Sequence, residues 1–239
     1  MRRGSVPPNS VRREQGRALA FAAGLVGWSA TVGLAIPGRR HPVVQAALGS
    51  TLAAIAHAPL GLQGQRLRDG ITLGMASAAV VIAGVATTTA IPPVRQAMAA
   101  RILPQPGWKW LTVEIPLGTV WSEEAAFRAA LGTVAARAFG GRAGRLLQAG
   151  AFGLSHIADA RAAGEPVVGT VLVTGAAGWM FGWLADRSGS LIAPALAHLA
   201  VNEAGAVAAQ LVQRRLGSPA WWVGARRASR TDIAAVGLE

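Results

Sequence analysis

The chain has 239 residues, and 23 Lys and Arg against 11 Asp and Glu give a formal net charge of +12. Only 14% of its residues are charged and 52% are hydrophobic, whereas a soluble domain typically carries about 25% charged residues. That balance excludes an ordinary soluble domain, and it excludes a disordered chain, whose signature is low hydrophobicity. An all-α, polytopic membrane bundle is the class that remains. With no cysteine, disulfides, thiolate nucleophiles and Cys-ligated metals are excluded too. The cations are one Lys, Lys109, and otherwise Arg, placed in tails and between apolar runs with no aromatic-interleaved basic stripe. Anionic lipid headgroups, not nucleic acid, are the expected partner.

A helix needs about 20 mainly apolar residues to cross a hydrocarbon core of roughly 30 Å. Seven runs are candidates: Ala18 to Ile36, Val43 to Leu62, Ile71 to Ile91, Trp110 to about Leu131, Leu146 to Ala160, which is short, Val167 to Ala185 and Leu191 to Val212. The organisation read from them is a basic N-terminal tail (1–17), N-terminal membrane helices (18–109), a core (110–213) and a basic C-terminal tail (214–239), with six to eight spans in all. Arg2, Arg3, Arg12, Arg13 and Arg17 precede the first run, which is too long for a signal-peptide core and lacks a cleavage site. It is read as an uncleaved span with a cytoplasmic N-terminus in the plasma membrane. Arg66, Arg68, Arg137, Arg142 and Arg145 fit that orientation. Arg214, Arg215, Arg226, Arg227 and Arg230 fall on the other side if there are seven spans.

Ionisable residues inside membrane helices are costly and invite a functional reading. The fourth run holds Glu123-Glu124-x-x-x-Arg128, in which Glu124 and Arg128 share a helix face and can pair. Glu123, about 100° round an α-helix, stands beside that charge in a dry site, the setting of a general base. Glu114, nine residues before Glu123, falls on the opposite α-helical face and is left out of the site. The fifth run carries Phe152-x-x-x-His156, and the seventh carries His198-x-x-x-Asn202. At about 1.5 Å per residue, Glu124, His156 and His198 lie roughly 11–15 Å from the same membrane side, so the three runs bring them to one level. Of the other histidines, His41 reads as a solvated loop residue and His57 as a packing residue.

Two histidines, two carboxylates, an Asn and an Arg make up a hydrolytic inventory without a covalent nucleophile. Ser122 and Ser155 fit no Ser-His-Asp or Ser-Lys pattern. In a metal-free mechanism Glu123 deprotonates water held with His156, while His198 and Asn202 donate to the oxyanion. In the alternative, His156, His198 and Glu123 hold zinc with an open position for water. Spacing leaves both open, with no cofactor as the expectation.

The three motifs, together with the approach Gly189-Ser-Leu-Ile-Ala-Pro-Ala-Leu-Ala-His198, resemble those of the CAAX-protease and bacteriocin-processing (CPBP, Abi) family of intramembrane endopeptidases, over about Val113 to Ala206. Ala129 stands where many members have Gly, which keeps the position small. The resemblance implies a glutamate-dependent protease acting on a membrane-associated protein or peptide. In it Glu123 is the base, His156 holds the water, His198 and Asn202 face the oxyanion, and Glu124 and Arg128 organise the site. Two other readings compete. One is a catalytically silent scaffold or bacteriocin-immunity factor. The other is a proton-coupled transporter, which the lack of inverted repeats disfavours.

Overall fold

The computed structural model describes residues 8–34 and 36–217, and these form helices joined by turns. Arg2, Arg3, Arg226, Arg227 and Arg230 lie outside the described residues. Helix α1 is Pro8–Ala30, α2 Pro42–Ile55, α3 Gly64–Thr89 and α4 Pro92–Ala100. A continuous helix, α5, is built from Gly107–Lys109, Trp110–Trp121, Glu124–Leu131 and Gly132–Phe139. Then follow α6 (Gly141–Ser155), α7 (Ile157–Ala163), α8 (Val167–Ser188) and α9 (Ile192–Leu216).

Several boundaries differ from the apolar runs. Helix α1 takes in Arg12, Arg13 and Arg17, because Arg, Glu and Gln sustain a helix and Pro8 suits its first turn. Residues 8–17 are therefore helical and not a tail. At the other end, Arg214 and Arg215 form the last turn of α9, where cations complement the helix dipole. The second run shortens to the 14 residues of α2, and α4 is a short helix with no buried residue that no apolar run announced. Arg137, Arg142 and Arg145 do not share a loop. Gly140 alone, at φ 81°, turns α5 into α6, so Arg137 ends one helix and the other two begin the next.

Among the described residues three helices, α3, α8 and α9, are long and apolar enough to cross a membrane by length and composition. Only 17% and 22% of the most apolar windows of α3 and α8 are buried, so Val80, Ile82, Val168, Leu172 and Val173 face outward, as a bilayer solvent favours. The interior holds the small and aromatic residues instead. All eight residues of Glu124–Leu131 are buried, making α5 the central helix. Leu25, Phe127, Leu131 and Phe152 close one side of it, and Ala53, Ala125, Ala129 and Leu191 close another.

Small residues set how near the other helices come. A Cβ on Gly49 of α2 would stand 2.6 Å from the Ser122 carbonyl oxygen of α5. Gly70, Gly74 and Ala78 form the buried stripe of α3, a small-xxx-small pattern. A Cβ on Gly74 would meet Ala193 Cα at 3.0 Å and Leu196 Cβ at 3.0 Å on α9. By contrast, Gly84 has nothing within 4 Å of its Cβ position. Gly74→Leu is therefore expected to lower stability by about 1–3 kcal/mol through overpacking, while Gly84→Leu leaves it unchanged. Thermal unfolding of the two variants in the same detergent checks this, and equal behaviour contradicts the close α3–α9 seam.

Candidate active site

The site is assembled around α5, whose sequence gives it an unusual pitch. Pro116 lacks an amide hydrogen and crowds the preceding turn. Trp110–Trp121 and Glu124–Leu131 run as π-type turns, whose i→i+5 bonding takes more residues per turn than the α-helical 3.6. Glu114 and Glu123 are then separated by less than the two and a half turns of an α-helix. Glu114 accordingly shares a cavity wall with Glu123, which corrects its expected place on the opposite face. It also pairs with Lys109 at 3.4 Å.

Glu124 is fully buried, and each of its oxygens has a charged or ring partner. Oε2 lies 3.3 Å from Arg128 Nε, one turn on, and Oε1 lies 2.8 Å from His198 Nδ1 on α9. The guanidinium of Arg128 is sandwiched by aromatic rings, its centre 3.8 Å from the Phe152 ring and 5.0 Å from that of Phe181. Phe181 also stacks on His198, with centroids 4.9 Å apart and planes 23° from parallel. A buried ion pair is tolerable where extra hydrogen bonds and ring faces replace water, and here four helices supply them. The approach of α6 to α8 depends on Gly178 and Gly182, where a Cβ would strike Phe152 and Gln148.

Glu123 is disposed differently. Its side chain is 28% exposed, Oε2 has no hydrogen-bond partner, and the nearest base is His198 Nε2 at 3.8 Å. The residue lines a cavity of about 340 Å³, whose wall includes Trp28, Leu52, Glu114, Ser122, Phe127 and Asp159. His198 therefore stands between two carboxylates: Nδ1 is tied to Glu124, and Nε2 is turned towards Glu123. If the ring is neutral, the Nδ1 hydrogen goes to Glu124 and Nε2 carries the lone pair.

His156 sits at a break, not inside a helix. The fifth apolar run is split there because His156 Nδ1 donates to the Phe152 carbonyl at 2.8 Å, while its own amide donates to the Gly153 carbonyl. The side chain has replaced the i→i−4 bond that would have continued α6. The Phe152 ring is 4.7 Å from that of His156 and 6.0 Å from that of His198. Among the described residues no hydrogen bond or ion pair joins His156 to Glu123. Asp159, three residues later, lines the Glu123 cavity, whereas His156 is not among the described residues that do. Asn202 Nδ2 donates to the His198 carbonyl at 3.2 Å, so its amide lies along its own helix. Ser155 bonds to the Phe152 carbonyl and Ser122 to the Gly118 carbonyl, as helix side chains do.

The zinc alternative asks His156, His198 and Glu123 to converge. Among the described residues no group of three or more His, Cys, Asp or Glu side chains stands together to hold a metal. One nitrogen of each histidine is already engaged, and Phe152 keeps the two rings apart. The other two histidines lie elsewhere. His41 is exposed at the start of α2. His57 is also exposed, at φ 50°, where the chain reverses after α2, so it packs against no face as had been expected.

Phe181 and Asp159 belong to none of the three sequence motifs. The glycines four apart that flank the Phe181 turn, Gly178 and Gly182, mark a face for close helix approach and were its one available signal. Asp159 had only its position after the second motif.

No curated protein and no solved structure matches the chain. Residues 105–204 match a family model described as "Type II CAAX prenyl endopeptidase Rce1-like". That stretch contains Glu123, Glu124, Arg128, His156, His198 and Asn202, and it is similar to the CAAX-protease family of intramembrane endopeptidases.

Proposed function

We propose that the protein is a glutamate-dependent intramembrane endopeptidase that hydrolyses a peptide bond in a membrane-associated protein or peptide. The observation that carries this reading is the division of labour between adjacent carboxylates. Glu124 is fully buried, paired with Arg128 and bonded to His198 Nδ1, whereas Glu123 has no hydrogen bond at Oε2, is partly exposed and lines a cavity beside that same histidine.

In this mechanism Glu123 takes a proton from water in the cavity, and the hydroxide attacks the scissile carbonyl. His198 Nε2 donates to the oxyanion in the imidazolium form, for which Glu124 on Nδ1 is the counter-charge. The tetrahedral intermediate collapses as the proton returns to the leaving amine. Asn202 joins the oxyanion site by turning its amide away from the His198 carbonyl. His156, across the Phe152 ring, acts through water or through the position of that ring. Leu25, Trp28, Leu48, Leu52 and Phe127 give the cavity an apolar wall suited to a lipid-modified or apolar segment beside the cleaved bond. The matched family's description names prenyl substrates, and such a group is one occupant with that chemistry. The site works in the plasma membrane, with the N-terminus of the protein in the cytoplasm.

Glu123→Gln keeps the shape of the side chain and removes the base, so cleavage should fall by about 10²–10⁴-fold with folding intact. Comparing membrane-protein termini by mass spectrometry in cells with wild type or Glu123→Gln at equal abundance checks it. A terminus that disappears in the variant identifies the substrate, whereas wild-type activity in Glu123→Gln contradicts the mechanism. Activity is also expected to survive exhaustive chelation. Loss on chelation with recovery on adding zinc would replace the metal-free mechanism by a metal-assisted one.

A further inference from the structure

A second cavity, of about 620 Å³, lies at the far end of α5, where the α2–α3, α5–α6 and α8–α9 connections meet. It shares no lining residue with the Glu123 cavity. Four arginines line it, Arg66, Arg128, Arg137 and Arg145, against one acid, Asp186. Arg66 and Arg137 are exposed at its mouth, Arg145 is half-buried, and the Arg128 side chain is fully buried at its inner end.

The donors facing this space are under-used. Arg128 Nη1 and Nη2 and Gln148 Nε2 are buried with no hydrogen-bond partner, and so is Arg145 Nε, although Asp186 Oδ2 is 3.4 Å away. Buried donors are ordinarily paired, and each one left unpaired costs about 1–3 kcal/mol. One group with several acceptor oxygens and negative charge would satisfy this set, which is the description of a phosphate. The position selects its source. The cavity sits at the starts of α3 and α9 and the end of α8, the three helices suited to spanning a bilayer, and so at headgroup depth. Its volume takes the glycerol as well as the phosphate.

We propose that this cavity binds the phosphate of an anionic phospholipid headgroup, received by Arg66, Arg137 and Arg145 at the mouth and by Gln148 and Arg128 within. The assignment does not rest on proteolysis. It does give the lipid a route to the active site, because Arg128 also holds Glu124.

The test is native mass spectrometry of the full chain released from detergent in the presence of phosphatidylglycerol or phosphatidylcholine. Wild type should retain phosphatidylglycerol selectively. Arg145→Gln should bind it about tenfold more weakly, the loss of one charge-assisted hydrogen bond. Asp186→Asn should bind it more tightly, because it frees Arg145 and removes a repelling charge, and this opposite sign keeps the test decisive if Arg145→Gln folds poorly. Equal retention of the two lipids, or indifference to both substitutions, overturns the proposal. So does displacement by equimolar inorganic phosphate, which assigns the cavity to the free ion. Displacement by a peptide with a free C-terminal carboxylate but not by its amide assigns it to the substrate and equally overturns the lipid.

Discussion

A buried carboxylate is the constraint on which the rest of the structure depends. Taking an ion out of water costs several kcal/mol even after relaxation, so Glu124 is stable at the centre of the bundle only while Arg128 and His198 are held against it. Arg128 in turn needs the faces of Phe152 and Phe181, and His198 needs the stacked ring of Phe181. These residues come from α5, α6, α8 and α9. The packing of the four helices and the integrity of the site are therefore one requirement, met by glycines that let α6 lie on α8 and α2 lie on α5.

That requirement explains why two neighbouring glutamates differ in kind. Glu124 is buried between Arg128 and His198 and fixes the histidine from within the bundle. Glu123 lies on the other side of that ring, 3.8 Å from Nε2, partly exposed and lining a cavity. The opposite end of α5 carries the basic cavity, and Arg128 belongs to both: its Nε faces Glu124, and its two terminal nitrogens have no hydrogen-bond partner. Charge at one end of the helix can thus reach the site by way of a single guanidinium.

Much of this was legible in the sequence because membrane helices make polar residues conspicuous. Glu124 with Arg128, and His198 with Asn202, stand out against apolar runs, and their spacing of four survives in the folded helices. The pitch of α5 was not legible. Periodicity arguments assume 3.6 residues per turn, and with that value Glu114 falls on the wrong side of Glu123. The break at His156 was hidden too, because Leu146 to Ala160 is continuously apolar enough to be one helix, and the break comes from a side chain bonding to its own backbone. Phe181 looked like any apolar residue of a membrane span. What distinguishes it is the ion pair that it covers, and that pair exists only after α8 has packed.

The central claim is that the two glutamates divide structure from chemistry, and thermal unfolding of three variants tests it most directly. Glu124→Gln should lower stability by about 3–5 kcal/mol, because it leaves Arg128 charged and buried without its partner. Glu123→Gln should unfold with the wild type, and Glu124→Gln combined with Arg128→Met should recover most of the loss. Equal destabilisation by the two single substitutions, or no recovery in the double variant, would contradict the account.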